Sequence, residues 1–129
     1  MGGKEKGSNA ERDVVHKFWA TGSWVACRVA GSGSMHYPSP DIIASNSKRR
    51  VVIECKATKA SSQYLTKEEV KQLNEFAILF GAEPWIGVKF DREEWRFLRI
   101  GDLRETSANY GIGKEEAQKK GRLFASLVK

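Results

Sequence analysis

The stretch PDIIASNSKRRVVIECK, residues 40–56, consists of two short apolar runs on either side of a polar segment. Apolar, largely β-branched runs joined by turn-forming residues predict a β-hairpin. If the hairpin closes on Ser47 and Lys48, counting back along both arms places Asp41 directly opposite Glu54. Side chains that face each other in this way have Cβ atoms about 4.5–5.5 Å apart. The register therefore predicts two neighbouring carboxylates.

The second arm of this hairpin ends in Glu54-Cys55-Lys56. Since successive side chains of a strand point to opposite faces, Glu54 and Lys56 share one face and Cys55 lies on the other, with the core. Two carboxylates and an amine at this spacing are typical of a metal-dependent nuclease site. Alternatively, Pro40-Asp41 only begins a turn and Glu54-x-Lys56 is a solvated face. Carboxylates beside an apolar element repel each other unless a cation intervenes, which favours the metal site.

The length of 129 residues predicts a single domain, which buries roughly two-thirds of its unfolded surface. No apolar run approaches the ~18 residues needed to span a bilayer, and the first residues lack the apolar region of a secretory signal. We therefore expect an intracellular, cytoplasmic protein with no membrane partner. Residues 1–8 are expected to form a mobile basic arm ahead of a folded domain at residues 9–129.

The net charge of +6 is unevenly distributed along the chain. Residues 1–60 hold ten Lys or Arg against five Asp or Glu, whereas residues 61–129 hold twelve against eleven. The positive field thus belongs to the half that carries the carboxylate pair. Basic surroundings suit a polyanionic substrate, and nucleic acid is the natural candidate. The alternative is a basic domain whose charge serves solubility.

The first predicted helix begins at a cap on Ser8 or Asn9 and ends near Thr21. Glu11 lies on its apolar stripe, four residues before Val15. Two interpretations of Glu11 stay open. It is either a helix N-terminal acid stabilised by the macrodipole, by ~0.3–1 kcal/mol, or a third acidic member of the metal site.

A strand is predicted over residues 24–30, and its alternation directs Arg28 to one face of the sheet. The alternation of side chains directs both Cys27 in this strand and Cys55 toward the core. We expect free buried thiols, with a disulfide between neighbouring strands as the alternative. The polar loop at residues 31–40 is a candidate for substrate contact or a plain connector, and lone His36 offers no zinc-site spacing.

Residues 57–64 are polar and are expected to be mobile, with Lys59 pointing outward. The second helix then begins at a capping box formed by Thr66 and Glu69 and ends before Gly81.

Two more strands, residues 85–90 and 95–100, form a second predicted hairpin. An apolar stripe at residues 123–128 is expected to pack either on its own domain or on another subunit. The order helix, strand, hairpin, helix, strand, strand predicts an α/β domain with a mixed central sheet flanked by helices. This is the core of restriction-endonuclease-like nucleases.

An ordered set of motifs resembles the signature of archaeal-type Holliday junction resolvases, a family of PD-(D/E)xK nucleases. The set consists of Lys6-Gly7-x-x-x-Glu11-Arg12, Arg28 before Gly31-Ser32-Gly33-Ser34, Pro40-Asp41-Ile42-Ile43 and Glu54-Cys55-Lys56. The resemblance covers roughly residues 4–111. An isolated PD…ExK pattern occurs by chance, but the full ordered set is much more specific.

The resemblance implies roles for individual residues. Mg²⁺, with Mn²⁺ able to substitute, would be held by Asp41, Glu54 and the backbone carbonyl of Cys55, and Lys56 would orient or help deprotonate the attacking water. Glu11 would complete the acidic cluster as a further catalytic and metal-site residue. Ser32 would contact the strand near the cut and is also included among the catalytic candidates. The expected DNA-binding residues are Lys6, Arg12, Arg28, Ser32 and Lys59.

The resemblance also implies a symmetric homodimer that resolves four-way DNA junctions by paired nicks, in association with the nucleoid and with other recombination or replication proteins as further partners. Residues 112–129 are a candidate for the dimer interface. Glu69 stands where a glutamine is expected, so its role is open. Two alternatives remain: another nuclease of the same fold, which would need a recognition insertion, and a DNA-binding module with an inactive site.

Overall fold

The structure is a computed structural model that describes residues 2–29 and 37–129, with side chains from Asn9 onward. Its helices and strands are α1 (Gly2–Ala20), β1 (Val25–Arg28), β2 (Ile42–Ser45), β3 (Arg50–Thr58), β4 (Ser62–Thr66), α2 (Lys67–Phe80), β5 (Glu83–Phe90), β6 (Arg96–Leu98), β7 (Arg104–Glu105), β8 (Asn109–Gly113), α3 (Lys114–Lys120) and α4 (Phe124–Leu127), with a 3₁₀ turn at Ile100–Asp102. No helix in these ranges is both long and apolar enough to cross a membrane.

The central sheet has five strands in the order β1-β2-β3-β5-β6. Strands β3 and β5 are parallel, and the other neighbouring pairs are antiparallel. Helix α2 provides the crossover from β3 to β5 that a parallel pair requires. A smaller sheet, β4-β8-β7, lies beside it. The predicted mixed sheet flanked by helices is therefore confirmed.

The β2–β3 hairpin has the predicted register, in which Ile42 pairs with Ile53 and Ser45 with Arg50. Its turn is held by the Asn46 carboxamide, which accepts hydrogen bonds from the main-chain N–H groups of Lys48 and Arg49 at 3.0 and 2.7 Å. Ser47 adopts φ = 77°, as the tight reversal requires. Turn chemistry and strand pattern thus select the same pairing.

Apolar side chains cover both faces of β3. Val51 and Ile53 belong to a cluster on the α1 side with Val14 and Phe18, whereas Val52 belongs to a second cluster on the α2 side. The expectation that one face carries chemistry and the other the core is thus incomplete. The Glu54 face is also core two residues earlier, at Val52, because α2 packs over it. A strand covered on both sides is typical of parallel pairing.

The predicted burial of β1 is wrong. Ala26 is buried, but Val25 and Cys27 are exposed. The face of β1 that carries Cys27 therefore points away from the core, whereas the prediction had directed it inward. The reason is topological: β1 is an edge strand, and within the described residues only its α1 face is covered by a helix. Both cysteines are free thiols, and only Cys55 is largely buried.

Helix α1 begins at Gly2 and not at a cap on Ser8 or Asn9. Once a helix is nucleated, each added residue gains one hydrogen bond, and Lys4, Glu5 and Lys6 are good helix formers. The mobility predicted for residues 1–8 stays a prediction. Residues 57–64 are not an unstructured connection, because β3 extends to Thr58 and β4 begins at Ser62.

The C-terminal apolar stripe packs on its own domain. Leu127 is buried, and Phe124 and Val128 pack against the α1-side cluster. Arg49 donates a hydrogen bond of 2.8 Å to the Leu127 carbonyl oxygen and forms an ion pair with Glu83. These contacts account for the apolar residues of the tail without a second subunit.

Candidate active site

The two carboxylates predicted from the hairpin register lie next to each other. Asp41 extends the β2 ladder: its N–H donates to the Ile53 carbonyl oxygen at 3.0 Å, and its own carbonyl accepts from Val29 at 2.8 Å. The β2–β3 ladder ends at Ile42 and Ile53, and just beyond it the Asp41 and Glu54 side chains lie within hydrogen-bond reach of each other. The predicted proximity of the two carboxylates is therefore confirmed.

A backbone oxygen faces the same place. The Cys55 N–H donates to Asp41 Oδ2 at 2.8 Å. Because the N–H and C=O of a strand residue project to the same neighbouring strand, the Cys55 carbonyl is directed to the Asp41 side of β3. Burial, followed by the nearby carboxylate charges, raises the pKa of the Cys55 thiol. The thiol therefore stays protonated, and the carbonyl is the donor that Cys55 offers to a hard cation.

The carboxylate pair is electrostatically strained. Burial, and next the charge of Asp41, raises the pKa of Glu54 to about 8. Burial also raises the pKa of Asp41, although its hydrogen bond from Cys55 and the nearby Lys56 act in the opposite direction. Desolvation disfavours a lone carboxylate, and a second one within hydrogen-bond distance adds repulsion. A bound divalent cation would remove both penalties.

The raised pKa of Glu54 predicts a pH-dependent stability of the metal-free protein. Between the unfolded pKa near 4.5 and the folded value of about 8, the folded state keeps a proton that the unfolded chain releases. The free energy of unfolding is therefore expected to fall as pH rises through this window, by up to about 1.4 kcal/mol per pH unit. Glu54→Gln should flatten this slope.

Urea unfolding in EDTA at pH 5.5 and pH 8 measures this effect. The exposed Glu115→Gln change on α3 is the matched control and should keep the slope of the unaltered chain. Equal slopes for the unaltered chain and the Glu54→Gln variant would contradict the assignment.

Lys56 shares the face of Glu54 and reaches across to helix α2. Its Nζ lies 2.6 Å from Glu69 Oε2. Burial by itself would lower the pKa of Lys56, but the hydrogen bond to Glu69 and the surrounding carboxylates outweigh it and raise the pKa. Glu69 is a member of the site that motif reasoning did not connect to Lys56. The available signal was its place in the first turn of a helix that crosses this face.

Glu11 lies on the α1 side of the sheet. Its carboxylate is 3.7 Å from Arg28 Nη1, and burial, followed by the charge of Asp41, raises its pKa. Among the residues with described side chains, no three carboxylate, histidine or cysteine groups form a metal-ligand set. The charge of Asp41 therefore acts on Glu11, but the ion-pair partner of Glu11 is Arg28. The role of Glu11 as a metal ligand stays a prediction.

The predicted DNA-contacting residues surround this centre unevenly. Arg28 is half-buried beside Glu11, whereas Arg12 on α1 and Lys59 just beyond β3 are exposed. Arg12 has one weak contact, a hydrogen bond of 3.4 Å to Asn9. Ser32 and the side chain of Lys6 lie outside the described residues.

The sequence profile of a family described as "Archaeal holliday junction resolvase (hjc)" matches residues 3–128. A crossover junction endodeoxyribonuclease Hjc from Archaeoglobus fulgidus is 40% identical over 128 residues, which cover 94% of this chain and 93% of the relative. The protein of the same name from Sulfolobus acidocaldarius is 34% identical over 131 residues, covering 100% of this chain and 90% of the relative.

A related crossover junction endodeoxyribonuclease, Hje from Saccharolobus islandicus, is 36% identical over 98 residues, which cover 74% of this chain and 72% of the relative. The fold is similar to the solved structure of Archaeoglobus fulgidus Hjc, described as a Holliday junction resolvase from an archaeal hyperthermophile. The TM-score is 0.86 at 37% identity, with 93% of this chain and 96% of that chain covered.

Proposed function

This chain belongs to the archaeal Holliday junction resolvase family, and from that premise we propose that it is a crossover junction endonuclease that uses Mg²⁺ and acts as a homodimer on four-way DNA junctions. The observation that carries the proposal is the facing pair of Asp41 and Glu54 on adjacent strands, with Lys56 on the same face. A DNA substrate of this kind implies that the protein works in the cytoplasm.

The donor set fits a magnesium ion. Asp41, Glu54 and the Cys55 carbonyl offer hard oxygen atoms only, and Mg²⁺ prefers a few such ligands together with retained waters. When bound, the ion would polarise the scissile phosphate and lower the pKa of a coordinated water. Mn²⁺ has the same preference for oxygen donors and is expected to substitute.

The protein groups supply positioning and charge. Asp41 is fixed by the Cys55 N–H and by the sheet ladder, so its carboxylate is oriented before any ligand arrives. The Lys56 ammonium stabilises negative charge that develops on the phosphate, and as a hydrogen-bond donor it can orient the attacking water. Because the raised pKa keeps Lys56 protonated, electrostatic stabilisation is its principal role.

The substrate is recognised through its backbone and its shape. Arg12, Arg28 and Lys59 are the candidate DNA-binding residues whose side chains are described, and guanidinium and ammonium groups bind phosphate oxygens without reading sequence. Discrimination between a junction and a duplex then depends on the distance and angle between two cleavage sites. That requirement calls for two copies of the chain.

The homodimer is proposed to form through an apolar patch at the C-terminal end of α2 and the adjoining sheet edge. The patch contains Ile78 and Leu79, which are 70% and 91% exposed, together with Phe80 and Val25. A cavity lined by β1, β2 and Phe80 connects these elements. Exposed apolar residues clustered in this way are typical of a protein interface, and a junction with two equivalent strands suits a second copy.

The proposed activity is tested with a synthetic four-way junction and a linear duplex of the same sequence. In Mg²⁺ the junction is expected to be cut in two opposing strands, with the duplex cut at least about 10²-fold more slowly and no cutting in EDTA. Comparable rates on the two substrates would point to another nuclease of this fold. Junction binding without cutting in any divalent metal would point to an inactive DNA-binding module.

A further inference from the structure

Glu69 uses both of its carboxylate oxygens, one for the helix and one for the catalytic face. Oε1 accepts from the Thr66 N–H at 2.9 Å, and Oε2 lies 2.6 Å from Lys56 Nζ. We propose that Glu69 is a positioning residue that holds the Lys56 ammonium at the site where the phosphate is cut. The inference rests on the proposed endonuclease function and assigns a role in it to α2.

The anchor of Glu69 is rigid. Glu69 Oε1 accepts from the main-chain N–H of Thr66, a contact that does not depend on the Thr66 side chain, whereas Thr66 Oγ1 accepts from the Glu69 N–H at 3.0 Å and caps the helix. Beyond this cap, the buried side chains of Val70 and Leu73 fix the first turns of α2 against the sheet. The carboxylate therefore belongs to a packed helix and not to a mobile loop.

Lys56 needs such a restraint because its side chain is long. A lysine loses much of its rotamer freedom when it is ordered, and an ion pair formed before substrate arrives has already ordered it. The side chains of Lys56 and Glu69 are only 26% and 32% exposed, so solvent screens their pair less than a surface pair. The Lys56 amine is then already positioned when the phosphate binds.

A helix cap alone does not explain the arrangement. The capping box needs one side-chain oxygen at the third helical position, and Oε1 fulfils that need. A glutamine, which the family resemblance leads one to expect here, has one acceptor oxygen, a donor NH₂ group and no charge, so it cannot direct a separate oxygen to each of Thr66 and Lys56. The carboxylate of Glu69 satisfies both, so this chain combines the cap and the lysine restraint in one residue.

The test compares Glu69→Ala and Glu69→Gln with two controls on the same helix turn. Thr66→Ala removes the other half of the cap, and Glu68→Ala removes an exposed neighbouring charge that accepts a hydrogen bond from Gln72. Single-turnover cleavage of the junction in Mg²⁺ is expected to slow about 10–100-fold for Glu69→Ala, the usual effect of losing a supporting group. Glu69→Gln should slow less, and junction affinity should change less than about twofold.

The controls should keep the cleavage rate within about threefold even if they lower the melting temperature. An equal loss of rate in Thr66→Ala and Glu69→Ala would mean that helix stability accounts for the effect, and the inference would fall. In a Lys56→Met background, Glu69→Ala should cause no further loss, since it acts through Lys56. Additive losses would also overturn it.

A second readout does not depend on cleavage. Amine acylation of the metal-free protein, followed by peptide mass mapping, measures how firmly Lys56 is held. Lys56 is expected to react several-fold faster in Glu69→Ala than in the unaltered chain or Thr66→Ala, and equal rates would overturn the restraint. If the unaltered chain fails to cut the junction, the proposed function fails by that result, while the acylation rates still decide whether Glu69 holds Lys56.

Discussion

Asp41→Asn is expected to reduce junction cleavage by at least about 10²–10³-fold, the effect of removing one group that stabilises charge in the transition state, and to leave the fold and junction binding intact. Asparagine keeps an oxygen that can accept from the Cys55 N–H, which is the structural contact of Asp41. It removes the negative charge that a divalent cation requires. Single-turnover cleavage in Mg²⁺ and a gel-shift titration in Ca²⁺ or EDTA measure the two properties separately.

The matched control for Asp41→Asn is Glu115→Gln, which removes one carboxylate from an exposed position on α3. The two variants have the same change in net charge, so a general electrostatic effect on DNA binding would appear in both. Undiminished cutting by the Asp41→Asn variant would show that the metal is held elsewhere. A joint loss of cutting and of thermal stability would instead assign Asp41 a structural role.

Leu79→Glu is expected to weaken the dimer about 10²-fold or more, equivalent to ~2.7 kcal/mol, because it buries an unpaired charge in the proposed interface. Leu79 is 91% exposed in the single chain, so the substitution leaves the fold of the subunit unchanged. Sedimentation equilibrium over a range of micromolar concentrations measures the dimer, and junction assays should report single nicks in place of paired ones.

Leu123→Glu is the informative comparison for the dimer. Leu123 lies in the tail at residues 112–129, which the sequence indicated as an interface candidate, and it is 37% exposed. We expect this variant to remain dimeric, because the apolar residues that follow Leu123 are packed on their own core. If the Leu123→Glu variant dissociates while the Leu79→Glu variant stays dimeric, the interface lies in the tail and not at the end of α2.

The carboxylate pair was predictable from sequence because a hairpin register depends only on local information. Turn-forming residues at 46–48 and a period of two along each arm place Asp41 against Glu54 without reference to the rest of the chain. The capping box of Thr66 and Glu69 is equally local and was predicted correctly. In both cases a few neighbouring residues determine the geometry.

Features that depend on which elements pack together were not predictable in this way. Alternation along β1 defines two faces, but it does not show that α1 packs on the face opposite Cys27, which leaves Cys27 exposed. The contact between Lys56 and Glu69 joins residues 13 positions apart, and it exists because α2 crosses the sheet. Likewise, the apolar tail gave no indication of whether its own core or a second subunit covers it.

Strand β3 supplies side chains to both apolar clusters and also carries Glu54 and Lys56. Its pairing with β5 joins residues about thirty positions apart, so this pairing forms late relative to the local hairpin. Until both helical layers dock, the site lacks the burial that raises the pKa values of Asp41 and Glu54. We therefore expect the capacity to cut DNA to be acquired only when the whole domain has folded.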